Sequence, residues 1–249
     1  MLHRLVPSHL RYEGNGLDEV GEFAQADEIA VATHCARPRE VIVAKGEGKG
    51  NVLAKIGRGV EGDLVARERL LPTVAERLQN SSLSVPTLLG GWSTPTGQVI
   101  VQSLIEDGRP PRREEMPEVL LEAAVALAEA GITHGDLAPW NLLITRNGLT
   151  VIDWEFGSTE HHPGEDLTHF LVQSAVLGKW WNAEQVASML TEPDGPGTAY
   201  RQATGMSLPS LCNCVFEYLD APPRAAVSSP DAIAFRTSLA IRLHSRIDR

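Results

Sequence analysis

Residues 134–141 read His134-Gly135-Asp136-Leu137-Ala138-Pro139-Trp140-Asn141, and residues 151–155 read Val151-Ile152-Asp153-Trp154-Glu155. Pro139 can neither continue a helix nor donate a hydrogen bond in a sheet, so the first stretch is a turning loop carrying Asp136 and Asn141. The second is a short apolar strand with Asp153 at its polar end. A carboxylate, an amide and a second carboxylate in this order can divide three tasks. One carboxylate takes the proton of a hydroxyl, while the amide and the other carboxylate hold Mg²⁺ against a nucleotide's phosphates.

The two segments resemble the catalytic loop and metal strand of the protein-kinase-like superfamily, in its aminoglycoside phosphotransferase and choline kinase-like branch. Protein kinases carry Arg after the His and Asp-Phe-Gly on the later strand. Gly135 and Asp153-Trp154-Glu155 stand in those places, which points to small-molecule phosphotransferases. Pro163-Gly164-Glu165-Asp166-Leu167 resembles the family's Pro-x-x-Asp-Leu segment, whose Asp braces the catalytic loop. The resemblance is firm over residues 134–171, extends to 40–106, and is absent from the C-terminal quarter.

The resemblance implies a bilobal α+β protein-kinase-like fold. A small N-terminal antiparallel sheet plus helix, residues 1–105, would bind the nucleotide. A larger, mostly helical C-terminal lobe, residues 106–249, would hold the catalytic and substrate-binding groups. ATP or GTP is the expected phosphoryl donor, Mg²⁺ the cofactor, and a hydroxyl of an amino sugar, amino alcohol or sugar the acceptor. Asp136 would be the catalytic base, Asn141 and Asp153 the metal ligands, and His134 a hydrogen-bonding scaffold residue. In the family a Lys on the third strand meets the nucleotide phosphates and is held by a Glu of the following helix. Lys55 and Glu68 match that order, with Glu76 in reserve.

On the N-terminal side, 11–27 reads as an irregular or short helical lead-in. Ile29–Ala32, Glu40–Ala44 and Val52–Ile56 then read as an antiparallel meander. Lys55 interrupts the apolar third strand, and a buried lysine is costly unless paired; the other reading is a solvated strand-edge lysine. No Gly-x-Gly-x-x-Gly lies between the first two strands, where Thr33–Arg39 stands instead, and the Gly-rich stretch 46–50 comes one hairpin later and reads as a turn. A helix is expected over Leu64–Gln79, bent or split by Pro72. Strands follow at Val85–Leu89 and Gln98–Leu104, the latter alternating like a half-buried strand. Glu106–Arg113 is the linker candidate.

On the C-terminal side a helix is expected from about 115 to 130, ending at Gly131. Strands near 141–145 and 149–153 should be joined by an Arg146-Asn147-Gly148 hairpin. Helices are expected at 165–178 and 183–190, then a Gly/Pro break at 193–197, and helices again at 210–219 and 231–247. With so short a segment before His134, acceptor contacts should come from residues 155–249. Trp180-Trp181 reads as core packing or as a flank for a ring or cation.

Composition narrows the field. The chain has 249 residues, 43% hydrophobic and 22% charged, ordinary for a globular protein. A net charge of −10 disfavours nucleic-acid and anionic-membrane partners, both of which need a basic face. It fits plain solubility or an acidic pocket for a cationic substrate. Met1–Leu10 lacks a continuous apolar core, so no signal peptide is expected, and 3 cysteines fit a reducing, cytoplasmic setting. Two rival readings stand. One is a non-catalytic kinase-like nucleotide-binding or scaffold module. The other is a metal-dependent hydrolase drawing on His134, Asp136, Asp153, Glu155 and His161 or His162.

Overall fold

A computed structural model describes residues 17–33, 39–46, 51–221 and 229–247. In chain order the first elements are α1 (Leu17–Ala24), β1 (Ala26–Thr33), β2 (Arg39–Gly46), β3 (Val52–Gly57), α2 (Val60–Arg67) and, after a 3₁₀ turn Glu68–Leu70, α3 (Leu71–Arg77). Next come β4 (Leu83–Ser84), β5 (Leu88–Thr94), β6 (Gly97–Ser103), α4 (Met116–Glu129), β7 (Leu142–Thr145) and β8 (Gly148–Val151). The remainder is helical: α5 (Glu165–Val176), α6 (Ala183–Thr191), α7 (Pro196–Thr204), α8 (Leu208–Asp220) and α9 (Pro230–Ile247). Two compact units result. Of the described residues, one takes those up to Glu76 with Val85–Asp107 and Asp153–Phe156; the other takes Arg77–Ser84, Gly108–Ile152 and those from Gly157.

The first unit is built on a five-stranded sheet in the order β1-β2-β3-β6-β5, every pairing antiparallel. Alternate residues of a strand point to opposite faces. Ile42, Ala44, Val52, Ala54, Ile56, Val99 and Val101 therefore share one face, and α1 seals it with Val20 and Ala24. The opposite face of β3 and β6 is covered by α2. This two-sided cover corrects the expectation for β6. Val99, Ile100, Val101 and Gln102 are all buried, because packing on both faces overrides the alternation that one exposed face would impose.

The second unit is a helical assembly beside a small three-stranded sheet, β4-β8-β7, in which β4 and β8 run parallel. Asn147-Gly148 makes the expected turn into β8, with Gly148 at φ 119°. Helix α5 is buried along nearly its whole length and packs on α4, α6, α8 and α9. Phe170, Leu171 and Val172 have no exposed surface. Arg109 grips Glu115 with two hydrogen bonds of 2.8 and 2.7 Å ahead of α4, and the Arg112 amide adds a third at 2.7 Å.

Several boundaries differ from expectation. The helix expected from Leu64 starts at Val60 and breaks at Glu68–Leu70, just before Pro72, whose ring cannot follow a regular turn. Residues 85–87 are not a strand; Pro86 separates β4 from β5. β8 ends at Val151, so Ile152 and Asp153 lie beyond the strand. The break at 193–197 is shorter than expected, since Pro196 starts α7, as proline at a first helical position does. The Thr33–Arg39 stretch and the Gly-rich turn at 46–50 fall largely on residues 34–38 and 47–50, outside the described residues.

Two predictions follow from this packing. A Cβ at Gly97 would stand 2.1 Å from the Gly57 carbonyl oxygen, backbone that cannot step aside. Gly97→Ala should lower stability by about 1–3 kcal/mol, read as a lower urea midpoint at unchanged m-value. Exposed Thr96→Ala should stay within about 0.5 kcal/mol. Separately, the hydrogen bonds from Arg109 and then the Arg112 amide hold the Glu115 carboxyl down at about 2. A folded pKa below the unfolded one gives stability that is complete above about pH 4.5 and lost as pH falls toward 2. Urea midpoints between pH 5 and 3 should fall more steeply in the native protein than in Glu115→Gln, and high salt should narrow the difference, since the pair is exposed.

Candidate active site

Lys55 lies in β3, between register partners Val41 and Ile100. Its neighbours Ala54 and Ile56 face α1, so Lys55 projects from the other face, on the side of α2 and the turn after it. There its Nζ donates to Glu68 Oε1 at 2.6 Å and to Asp153 Oδ1 at 2.5 Å, with Glu155 Oε1 at 3.9 Å. Glu68 Oε1 also accepts the Trp154 amide at 3.0 Å, which ties the 153–156 segment to the same carboxylate. Lys55 is 6% exposed and Glu68 is fully buried. Burial by itself lowers the ammonium's pKa. The charges of Glu68 and then Asp153, with hydrogen bonds to both, outweigh it and raise the pKa above its ordinary value. Lys55 is thus a fixed positive charge, and it pairs with Glu68 rather than with the reserve candidate Glu76. Asp153 adopts φ 67°, a left-handed conformation that Asp tolerates better than most side chains.

In the second unit the loop from His134 is held from below by the first turn of α5. Asp166 accepts the His134 amide through Oδ2 and the Gly135 amide through Oδ1, both at 2.8 Å. One carboxylate can serve two successive amides because Gly135 turns through φ 75°, a conformation that a side chain would resist. His134 is fully buried and works as scaffold: Nδ1 accepts the Asp136 amide at 3.2 Å, so Nε2 carries the proton and donates to the Ile152 carbonyl at 3.0 Å. Asn141 closes the loop, its Nδ2 donating to the Asp136 carbonyl at 2.8 Å and to Asp136 Oδ2 at 3.3 Å, while its carbonyl accepts the Ile152 amide at 3.0 Å. The Asp136 side chain keeps 26% of its surface exposed, so a solute can reach it.

The structure thus makes two clusters of the sequence candidates: Lys55, Glu68 and Asp153 in the first unit, Asp136 and Asn141 in the second. Asn141 and Asp153 are oxygen donors of the type that Mg²⁺ takes, and Lys55 is the type of charge that meets a phosphate. Among the described residues no three His, Cys, Asp or Glu side chains cluster so as to hold a metal ion. The adjacent histidines, which the rival hydrolase reading would use as ligands, have local contacts: His161 Nδ1 lies 3.4 Å from the Ile132 carbonyl, and the His162 amide donates to Thr133 Oγ1 at 2.7 Å. Trp180 and Trp181 pack edge to face, half-buried and outside the core. Burial raises the thiol pKa of Cys212 and Cys214, as expected of structural cysteines.

One contact escaped the sequence reading. His169 Nε2 lies 3.0 Å from Asp136 Oδ1, and its Nδ1 meets the Tyr218 hydroxyl at 2.8 Å. A signal was present: residues three apart on a helix share a face, so a helix whose Asp166 meets the loop also turns His169 toward it.

The Lys55 cluster carries a stability prediction. Lys55→Met strands a fully buried carboxylate and should cost about 3–5 kcal/mol in denaturant unfolding. Lys55→Met with Glu68→Leu should recover a large part of that loss, because an apolar pair replaces an unpaired charge.

Known proteins resemble the chain in fold and over part of its sequence. Residues 94–203 match the family model described as the phosphotransferase enzyme family, APH. Among curated proteins none matches the chain significantly. Of solved structures that resemble it, the macrolide 2′-phosphotransferase MphH from Brachybacterium faecium, as apoenzyme, is 18% identical with a TM-score of 0.54, over 91% of this chain and 98% of that one. The streptomycin–ATP–APH(2″)-IIa ternary complex is 8% identical with a TM-score of 0.51, over 84% and 90%. WbdD is 14% identical with a TM-score of 0.48; the match covers 87% of this chain, which spans 50% of that one. No helix among the described residues is long and apolar enough to cross a membrane. The fold is α+β and kinase-like, and residues 94–203 resemble the APH phosphotransferase family.

Proposed function

We propose that this protein moves the γ-phosphoryl group of ATP or GTP to a hydroxyl of a small molecule, an amino sugar, amino alcohol or sugar, in the presence of Mg²⁺. The observation that carries the reading is the buried Lys55–Glu68 pair at 2.6 Å, the ion pair on which kinase-like phosphate binding depends. In this reading residues 1–105 bind the nucleotide and 106–249 supply catalysis and the acceptor pocket, with acceptor contacts from 155 onward.

Each side chain then has one task. Glu68 holds the Lys55 ammonium, which pairs with the nucleotide's phosphate oxygens. Asn141 and Asp153 would hold Mg²⁺, which when bound offsets the negative charge on the phosphates. Asp136 orients the acceptor hydroxyl and takes its proton as the new oxygen–phosphorus bond forms and the bond to the nucleoside diphosphate breaks. Such transfers are loose, so positioning and charge supply most of the rate and the base a smaller share. The braced loop supports this role, because a carboxylate fixed by Asn141 and by its own backbone loses little entropy on meeting substrate.

Asp136→Asn should leave binding of MgATP or MgGTP, measured by calorimetry, within about threefold, and should lower turnover by about 100-fold or more. Undiminished turnover would remove Asp136 as the base. Nucleotide binding without turnover in the native protein, across a broad panel of hydroxyl compounds, would favour a binding module.

A further inference from the structure

Helix α5 brings two side chains to the loop. Asp166 serves backbone amides; His169, 1% exposed, meets the carboxylate of Asp136 itself at 3.0 Å. On the other side of the ring, Tyr218 of α8 sits 2.8 Å from Nδ1, with the two rings edge to face at 88°. Tyr218 is in turn anchored. Arg236 of α9 lies over its ring, 5.7 Å from the centroid, and donates to the Tyr218 carbonyl at 2.8 Å and the Ala221 carbonyl at 2.7 Å. The groups facing the imidazole thus come from three places: Asp136 from the loop, Tyr218 from α8, and Arg236 from α9 behind the tyrosine.

The partners select a tautomer. A carboxylate only accepts, so the nitrogen facing it carries a proton, and a neutral ring then leaves Nδ1 to accept from the tyrosine O–H. The Tyr218 hydroxyl thus sits on Nδ1, while Nε2 stands 3.0 Å from Asp136 Oδ1 as a close polar contact that is not aligned as a hydrogen bond. Asp136 Oδ2 faces Asn141 instead, at 3.3 Å. The two oxygens are therefore held by different partners, which fixes the carboxylate's rotation about its own axis.

We propose that His169, set by Tyr218, is a positioning residue for Asp136. The proposal rests on the reading of Asp136 as the base. During transfer the acceptor's O–H bond breaks and its proton passes to the Asp136 carboxylate. The new O–P bond forms and the bond to the nucleoside diphosphate breaks, while the His169 proton stays on Nε2. The ring's work is to aim the carboxylate, so its loss lowers kcat and leaves nucleotide affinity alone.

The test has two arms on the full chain. In ¹⁵N NMR the His169 ring, assigned by its absence in His169→Gln, should show the Nε2–H tautomer at neutral pH, and Tyr218→Phe should mix the tautomers. A native ring protonated on Nδ1 alone overturns the proposal whatever the activity. In the second arm, release of inorganic phosphate from MgATP and MgGTP is followed. His169→Ala should lose about 10- to 100-fold in kcat, as supporting hydrogen-bond partners of functional groups do, with the nucleotide KM within about twofold. His169→Gln, whose amide can donate to Asp136, should recover most of it. Native kcat in His169→Ala, with Asp136→Asn inactive, overturns the positioning role. Native kcat in Asp136→Asn instead shows that the reading of the base has failed, a distinguishable result.

Discussion

A lysine ammonium carried into the interior of the small sheet constrains everything built around it. Removing such a charge from water costs several kcal/mol, and the cost is met only by close, well-aligned counter-charges. At 2.6 and 2.5 Å, Glu68 and Asp153 are those counter-charges, and their positions follow from Lys55. The helix after β3 must end where Glu68 can reach inward, which the 3₁₀ turn at Glu68–Leu70 achieves. The segment 153–156 must lie where Asp153 and the Trp154 amide share the same acceptor. An apolar pair would serve stability as well or better. The charged pair is therefore not explained by stability alone.

A second constraint governs the loop, and it runs through backbone rather than charge. Asp166 claims two amides, Gly135 supplies the turn that makes this possible, and His134 fastens the loop to the Ile152 carbonyl. Little of the loop is left to move except the Asp136 carboxylate, and His169 and Asn141 narrow that as well. A loop held in this way has already lost most of its conformational freedom in the folded chain.

Much of this was legible in residues alone, for identifiable reasons. Pro139 announces a loop, Asp136 and Asn141 announce polar chemistry on it, and a lysine inside an apolar strand demands a partner downstream. Local rules read such features well because each needs only a few neighbours in sequence. What escaped depended on distant ones. The burial of β6 on both faces is decided by α1 and α2, so its apparent alternation misled. α7 was hidden because Pro196, read as a breaker, is the first residue of a helix. The left-handed turn at Asp153 has no compositional mark, and the meeting of Tyr218, His169 and Asp136 joins three elements that no short window contains.

In the proposed reaction a phosphoryl group leaves a nucleotide and arrives on a small-molecule hydroxyl. ³¹P NMR of the native protein with Mg²⁺, ATP or GTP, and a panel of amino sugars, amino alcohols and sugars observes this directly. Transfer gives a new phosphate monoester resonance growing in step with nucleoside diphosphate and split by the protons of the acceptor's carbon. Phosphate appearing solely as the inorganic ion, or nucleotide remaining intact with every acceptor, would contradict it.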